Sequence, residues 1–283
     1  MVKTKLLRNP IETCVFIFLL CSVARIIEYF VIRTDETVMA ENFLHKVFGI
    51  IILAITLRCV RISWHDIGFI KINGVQNFLK GFMLATVCFS VAYLIECILL
   101  YCMNGNVRLS IYTSVFSLNG EMIKQNGMAF VMLCVGFNVI NVWMEEGIFR
   151  GLFPKLLEPK MKFISLTLFI AFLFGIWHWV MPLRDYIEGR SSVANLFVMG
   201  IGYIILAGIM SIKWSILYKI SGSLWIGLGD HLFNNIIVTN LLHVISNNEA
   251  DSMQIVRILI GQLISFLLVM VYYKKWIRTT VER

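Results

Sequence analysis

The stretch FISLTLFIAFLFGIWHWVM, residues 163–181, contains no aspartate, glutamate, lysine or arginine. A run of about 20 mainly apolar residues is the length that an α-helix needs to cross the hydrocarbon core of a bilayer. The composition of the whole chain agrees, because 59% of the 283 residues are hydrophobic, only 15% are charged and the mean hydropathy is +0.81. The sequence therefore predicts an all-α, polytopic membrane protein.

Comparable apolar runs recur along the chain. We predict eight spans, near residues 11–32, 43–62, 78–100, 128–149, 163–181, 195–217, 224–242 and 253–273. The first run contains Arg25 and Glu28, and no small-residue cleavage site follows it, so we expect a first span rather than a cleaved signal peptide. We expect one integral-membrane domain over 1–283, with a motif-bearing core at about 128–242.

Lysine and arginine are unevenly distributed, and in a membrane protein their positions indicate orientation rather than nucleic-acid binding. If the N-terminus is cytosolic, seventeen of the 25 lysines and arginines fall in inner segments and six in outer loops. We therefore expect both termini in the cytosol, the lipid bilayer as a partner and no nucleic acid. This distribution of lysine and arginine fits either a prokaryotic plasma membrane or the membrane of an endoplasmic reticulum.

Ionisable and amide side chains at membrane depth carry the functional information, because a charge there is costly. They occur in the fourth, fifth and seventh predicted spans, as EEGIFR (145–150), FGIWH (174–178) and HLFNN (231–235). Glu146 and Arg150 are four residues apart, a favourable ion-pair separation on a helix. Glu145 is turned about 100° away from Glu146. We therefore expect one carboxylate to be paired and the other to face a cavity.

Counting along the helices predicts that these groups share one depth. If the fourth helix runs on to a turn near Pro159, Glu145 and His178 each lie roughly sixteen residues, or 24 Å, from that turn on antiparallel helices. His231 and Asn235 share a helix face, and His231 lies about 15 Å below the cytosolic surface. All three helices can therefore present polar groups to one cavity in the inner half of the bundle.

These motifs resemble the CPBP group of intramembrane proteases, also called Abi, which includes the type II CAAX prenyl endopeptidases and bacteriocin-processing or self-immunity proteases. The pattern of the group is EExxxR, then FxxxH, then HxxxN, and the sequence matches it without departure. The resemblance implies a glutamic endopeptidase in which Glu145 activates a water and His178 orients it. It assigns His231 and Asn235 to the oxyanion hole.

Amide hydrolysis explains why these residue types are needed. A base must activate water, and hydrogen-bond donors must stabilise the oxyanion. The resemblance makes Glu146 and Arg150 structural support, with no cofactor. It implies a membrane-associated peptide or protein substrate, either a prenylated CAAX protein, a bacteriocin or pheromone precursor, or another such peptide. The residues that bind this substrate are not indicated.

Other interpretations stay open at this point. Taken alone, His178 between Trp177 and Trp179 also fits an interfacial aromatic cluster. A zinc peptidase could use Glu145, His178 and His231 as ligands, although HExxH is absent. An ion- or proton-coupled transporter could use the same groups as a relay, but would be expected to show inverted repeats, and we find no repeat. A catalytically silent scaffold would leave the motifs unexplained.

The remaining polar residues have plainer interpretations. We expect Arg25 and Glu28 to form a structural pair, and Glu96 either to line the cavity or to pair with a neighbour. Asn234 is expected to make a helix-packing hydrogen bond. The histidines near predicted membrane boundaries are expected to be solvated or to cap helices: His45, His65 and His243.

Overall fold

The computed structural model describes residues 8–37, 41–116, 122–125 and 127–281, and about 78% of the structure is helical. The α-helices are α1 Pro10–Ile27, α2 Leu44–Val60, α3 Gly74–Asn104, α4 Met128–Glu145, α5 Phe153–Leu157, α6 Phe163–Trp177, α7 Val180–Ile187, α8 Val193–Ser221, α9 Leu224–Phe233 and α10 Gln254–Val281. Within the described ranges, Thr34–Glu36 forms a 3₁₀ turn. Three further segments are π-helical: Glu28–Ile32, Glu146–Leu152 and Asn234–Leu241.

The structure also contains short β-strands, which the sequence patterns did not predict. They are β1 Arg108–Ile111, β2 Thr113–Phe116, β3 Met122–Gln125, β4 Leu242–Ser246 and β5 Glu249–Ala250. In the described part of the chain they form an antiparallel sheet of order β1-β4-β5 and an antiparallel β2-β3 hairpin. These strands follow the apolar runs of α3 and of the segment after α9 rather than interrupting them.

Among the described residues, six helical stretches are long and apolar enough to cross a membrane: Pro10–Glu36, Gly74–Met103, Met128–Leu157, Phe163–Ile187, Val193–Ser221 and Gln254–Thr279. The polytopic helical architecture is thus confirmed, and the protein is an integral membrane protein. The predicted number of eight spans is not confirmed. At the second predicted span α2 has 17 residues, and at the seventh α9 has 10 before it becomes π-helical and then a strand at Leu242.

The chain forms two compact units. The first comprises Met1–Thr34, Asn42–Ile72 and Trp143–Leu224. The second comprises Asp35–Glu41, Asn73–Val142 and Trp225–Arg283. The expectation of a single domain over 1–283 stays a prediction.

In the first unit, α6 packs along α8. Gly175 permits the close approach, because a Cβ at this position would lie 2.8 Å from the Cα of Ile204. Small residues at such crossings let two helix backbones come near each other. The crossing fixes the C-terminal end of α6, which carries Trp177 and is followed by His178.

The fourth predicted helix continues past Glu145, as expected from the sequence. The chain passes from α4 through the π-helical segment Glu146–Leu152 into α5, and a short turn leads to α6. Pro154 lies in the first turn of α5, directly after the π-helical segment. This arrangement gives the helical hairpin on which the depth argument for Glu145 depends.

In the second unit, α10 packs along α3, and α9 also lies against α3. A Cβ on either Gly81 or Gly229 would collide with a backbone carbonyl of the other helix. Phe233 adds ring contacts with Phe82 at 5.0 Å and with Phe89 at 5.9 Å between centroids. These contacts hold α9, which carries His231, in a fixed position on α3.

Candidate active site

Glu145 is the last residue of α4 and is almost completely buried, with 3% of its surface exposed. Trp177, the last residue of α6, donates a hydrogen bond from Nε1 to Glu145 Oε1 at 2.8 Å. The EExxxR and FxxxH motifs therefore meet within the first unit. The spacing from the turn near Pro159 predicted that they would lie at one depth.

Glu146 and Arg150 form the predicted ion pair, with 3.7 Å between Oε1 and Nη1, and both side chains are fully buried. The Arg150 guanidinium carbon lies 3.9 Å from the ring centroid of Phe174 and 4.8 Å from that of Trp214. Among the described residues, its three nitrogens have no hydrogen-bond partner. Arg150 is therefore held by one carboxylate and by the faces of aromatic rings.

His178 caps the C-terminal end of α6 and is half-buried. Its Nδ1 lies 2.8 Å from the carbonyl oxygen of Phe174. Because a carbonyl can only accept, Nδ1 carries the hydrogen, and Nε2 is the nitrogen that can accept one. The ring also stacks on Tyr203 of α8, with 6.2 Å between centroids and a 16° interplanar angle. The imidazole thus has a defined tautomer and orientation.

The HxxxN motif lies in the second unit, where α9 becomes π-helical. His231 is buried and Asn235 is half-buried. Asn234 donates from Nδ2 to Asn235 Oδ1 at 3.1 Å and accepts from Gln262 Nε2 of α10 at 3.1 Å. Asn234 therefore makes the predicted helix-packing hydrogen bond. It also occupies the side-chain oxygen of Asn235, so the amide NH₂ of Asn235 is the group that can donate, as an oxyanion hole requires.

The six motif residues are thus divided between the units. Glu145, Glu146, Arg150 and His178 lie in the first, and the structure brings their motifs together. His231 and Asn235 lie in the second. The convergence of both sets on one cavity stays a prediction.

In the EExxxR and HxxxN motifs the α-helix changes to a π-helix, and this change was not predicted from the sequence. Glu146 begins one π-helical segment and Asn234 begins another. Such wide turns shift the side chains that follow and are frequent at functional sites. Neither segment has a sequence signal that distinguishes it from an α-helix.

The predicted Arg25–Glu28 pair is wrong. Glu28 instead accepts hydrogen bonds from the ring and backbone of His45 and from the Leu44 backbone N–H, the last at 2.8 Å. The interpretation of His45 as a solvated or capping residue is wrong as well, because its side chain is buried against Glu28. The His45 ring centroid lies 5.8 Å from that of Trp177, the donor to Glu145.

Glu96 pairs with a neighbour, which was one of the two alternatives predicted. It accepts from Arg257 Nη1 at 2.8 Å, and Arg257 Nη2 donates to Asp251 Oδ1 at 2.9 Å. His243 is buried and hydrogen-bonded to Asp251, so its solvated or capping interpretation is wrong. His65 is exposed, as expected.

Comparison with known proteins gives one positive finding. Residues 127–237 match the family model described as type II CAAX prenyl endopeptidase Rce1-like, and this range includes all three motifs. The matched region is similar to that family. The resemblance to the CPBP group is therefore confirmed, and a protease activity of this general kind is indicated. No curated protein and no solved structure matches the chain.

Proposed function

We propose that this CAAX-protease-like protein is an endopeptidase that uses a Glu145-activated water to cleave a membrane-associated substrate. The 2.8 Å hydrogen bond from Trp177 to Glu145 is the observation that carries the proposal. It orients a buried carboxylate through one of its oxygens and sets it beside the helix end that carries His178. An ionised carboxylate offers about four lone-pair positions, so this bond leaves it able to accept a proton from water.

The proposed reaction has two proton transfers. Glu145 takes a proton from water as the oxygen attacks the scissile carbonyl carbon, and the C–N bond then breaks as Glu145 returns that proton to the leaving amine. His178 orients the water through Nε2. His231 and the Asn235 amide donate hydrogen bonds to the oxyanion between the two steps. These roles come from the family resemblance, and the orientation of the Asn235 amide supports its part.

Glu146 and Arg150 act as support in this proposal. Their ion pair lies one residue beyond Glu145 and packs against Phe174, whose carbonyl accepts from His178. Removing one partner of a buried pair leaves an uncompensated charge and costs about 3–5 kcal/mol. Substitution here is expected to lower stability and activity together.

We also propose that no metal takes part, since Glu145 and His178 suffice to activate water. The alternative is a zinc site at Glu145, His178 and His231. Elemental analysis of purified, active protein is expected to show zinc, cobalt and manganese well below one per chain. Stoichiometric metal that is lost with activity on chelation, and restored with it, would establish the zinc alternative.

The proposed substrates are prenylated CAAX proteins, bacteriocin or pheromone precursors, or other membrane-associated peptides. We place both termini in the cytosol and the cavity in the inner half of the bundle, on the lysine and arginine bias. Reporters fused after Arg283 and inserted near Glu188 test this orientation, since they should report opposite sides. Quantitative proteomics of cells carrying the wild type or Glu145→Gln would identify substrates that accumulate uncleaved.

Glu145→Gln tests the proposed base directly. Glutamine keeps the size of the side chain and an oxygen for Trp177, but it cannot accept the proton of water, so cleavage is expected to fall by about 10²–10⁴. The measurement is cleavage of one membrane-associated peptide by matched amounts of protein in liposomes. Glu158→Gln, which changes an exposed carboxylate near the end of α5, is the matched control. Unchanged cleavage by Glu145→Gln would remove this residue as the base.

A further inference from the structure

The second half of the π-helical segment Asn234–Leu241 is held by groups from other parts of the second unit. Five consecutive carbonyl oxygens, from Val238 to Leu242, accept hydrogen bonds from four side chains and one backbone N–H. The bonds run from Arg257 Nη2 to Val238 at 3.3 Å, Gln254 Nε2 to Thr239 at 3.3 Å, His243 Nε2 to Asn240 at 3.2 Å, the Tyr112 N–H to Leu241 at 3.2 Å and Tyr93 Oη to Leu242 at 2.6 Å. Donors from α3, β4 and α10 therefore fix this stretch of backbone.

Asn240 connects this stretch to Asn235 of the HxxxN motif. Its Nδ2 donates to the main-chain carbonyl oxygen of Asn235, five residues earlier, at 2.7 Å. Thr239 Oγ1 makes the same kind of bond to the Asn234 carbonyl at 3.0 Å. The backbone hydrogen bonds of a π-helix also join residues five apart, so both side chains repeat its spacing and support the wide turn. Asn240 thus fixes the peptide group of the residue whose amide is proposed to bind the oxyanion.

His243 fixes Asn240 in turn. Its Nε2 lies 3.2 Å from the carbonyl oxygen of Asn240 and 3.1 Å from that of Tyr112, and its Nδ1 is hydrogen-bonded to Asp251. Carbonyl oxygens only accept, so Nε2 carries a hydrogen. Asp251 also accepts from Arg257 Nη2, as an ionised carboxylate does, so Nδ1 donates as well. His243 is therefore an imidazolium held from both nitrogens.

We propose that Asn240 and His243 are positioning residues, which hold the π-helical turn that aims the Asn235 amide at the oxyanion. This inference rests on the proposed endopeptidase function and adds two residues that lie outside the EExxxR, FxxxH and HxxxN motifs. The contacts run from Asp251 through His243 and Asn240 to the peptide group of Asn235. Asn240 and His243 act through Asn235 and do not touch the substrate.

The proposal predicts which kinetic constant changes. The oxyanion forms only after water has attacked, so a displaced Asn235 amide should lower kcat and leave KM unchanged. Removing an oxyanion donor outright costs about 10²–10³ in rate, whereas a misplacement of about 1 Å can cost about 10². A residue that positions Asn235 is therefore expected to matter less than Asn235 itself.

A double-mutant cycle tests whether Asn240 acts through Asn235. Asn240→Leu removes the donor and keeps the size of the side chain, so kcat for one membrane-associated peptide in liposomes is expected to fall about 10–100-fold, with KM within about twofold of the wild type. Asn235→Ala is expected to lower kcat by about 10²–10³. The double variant should equal Asn235→Ala, because no amide remains to be positioned. Independent structural roles would multiply the two losses instead.

Further variants test the donors themselves. His243→Phe keeps a ring that can stack on Tyr112 but donates nothing, and it is expected to lower kcat about tenfold. Asn240→Gln keeps an amide NH₂ and should recover part of the kcat lost in Asn240→Leu. Asn195→Leu, which changes an exposed asparagine in the first turn of α8, is the matched control and should keep the wild-type kcat.

Hydrogen exchange examines the π-helical segment without any cleavage. Backbone amides of residues 234–241 are followed by mass spectrometry of the protein in detergent micelles. Their exchange is expected to be faster in Asn240→Leu than in the wild type, while peptides from α3 and α10 keep wild-type rates. This pattern would place the change in the segment that carries Asn235 rather than in the fold as a whole.

Three results would overturn the proposal. The first is a wild-type kcat in Asn240→Leu when Asn235→Ala is impaired. The second is a double variant whose loss is the product of the two single losses. The third is unchanged hydrogen exchange of residues 234–241 in Asn240→Leu. A wild-type kcat in Asn235→Ala would instead overturn the proposed oxyanion role of that residue, and cleavage that survives Glu145→Gln would overturn the proposed base.

Discussion

Two buried arginines, Arg150 in the first unit and Arg257 in the second, are held in different ways. Arg257 donates to Glu96 and Asp251 at 2.8 and 2.9 Å and lies 4.5 Å from the ring of Tyr93. Arg150 has a carboxylate oxygen at 3.7 Å and is packed mainly against rings. The first arrangement is an ion-pair network in which Arg257 bonds to two carboxylates, although its Nε and Glu96 Oε1 have no hydrogen-bond partner among the described residues. The second is a cation in an aromatic cage.

The difference separates a structural polar cluster from a candidate site. In the second unit, Arg257 joins α3 to the loop before α10, and the Asp251 carboxylate also accepts from His243 and the Val244 N–H. In the first unit, the three guanidinium nitrogens of Arg150, and Nε and Nη1 of Arg25, have no hydrogen-bond partner among the described residues. A buried guanidinium that donates to two carboxylates stabilises a fold, whereas one whose N–H groups are unpaired can bind an anion.

The largest expected effect in this comparison comes from Arg257→Leu. The substitution removes the cation from two carboxylates, and loss of one partner of a buried pair costs about 3–5 kcal/mol. Glu96→Leu is expected to lower the free energy of unfolding by less, because Arg257 would keep its ion pair with Asp251. The free energy of unfolding in detergent micelles, measured by denaturant titration, gives both values.

Arg278→Leu is the matched control, because Arg278 lies exposed on the same helix, α10. It is expected to change the free energy of unfolding by less than about 0.5 kcal/mol. An Arg257→Leu protein as stable as this control would show that the network does not hold the second unit together.

Spacing along the sequence predicted contacts between residues of one helix or of one helical hairpin. The four-residue separation predicted the Glu146–Arg150 pair. Counting to the turn near Pro159 predicted that Glu145 and His178 share one depth, and Trp177 now joins their helices. The three motifs indicated a resemblance to the CPBP group, and the family-model match over residues 127–237 confirmed that resemblance.

Pairs between distant segments were not predictable in the same way. Glu96 and Arg257 are 161 residues apart, and Glu28 and His45 are 17 apart across a loop. Helical periodicity constrains only neighbours within one element, so it favoured the local Arg25–Glu28 pair over the tertiary one. The β1–β4 pairing and the two π-helical motif segments depend on tertiary packing for the same reason.

Lysine substitutions at Arg150 and Arg257 are expected to lower the free energy of unfolding by intermediate amounts. Lysine keeps the charge but has no planar face to stack on a ring. Arg150→Lys is expected to cost about 2 kcal/mol, the value of a desolvated cation–π contact, and to recover little of the loss in Arg150→Leu. Arg257→Lys should recover more, since an ammonium can still pair with Glu96. Denaturant titrations of the lysine and leucine variants at both positions measure these free energies of unfolding. If Arg150→Lys recovered nearly all of the stability lost in Arg150→Leu, Glu146 rather than the aromatic rings would hold the cation.

The smallest expected effect is a pH dependence at Asp251, in the loop between β5 and α10. Burial alone would raise the pKa of this carboxyl, but hydrogen bonds from His243, Arg257 and the Val244 N–H outweigh burial and hold the pKa below its usual value. A carboxyl with a lowered folded-state pKa stabilises the fold while it is ionised. Its contribution is therefore complete above the ordinary pKa of about 3.9 and is lost as the pH falls through the lowered value.

Asp251→Asn removes this contribution, so its effect should depend on pH. The difference in Tm between the wild type and Asp251→Asn is expected to be constant from about pH 7 to pH 5 and to narrow below about pH 4. Thermal unfolding of the detergent-solubilised proteins measures this difference, and Glu249→Gln, an exposed carboxylate on β5, is expected to follow the wild type throughout. A difference that stays the same at every pH would show that the charge of Asp251 does not stabilise the fold. The second unit would then resemble the first in depending on packing around its arginine rather than on ion pairs.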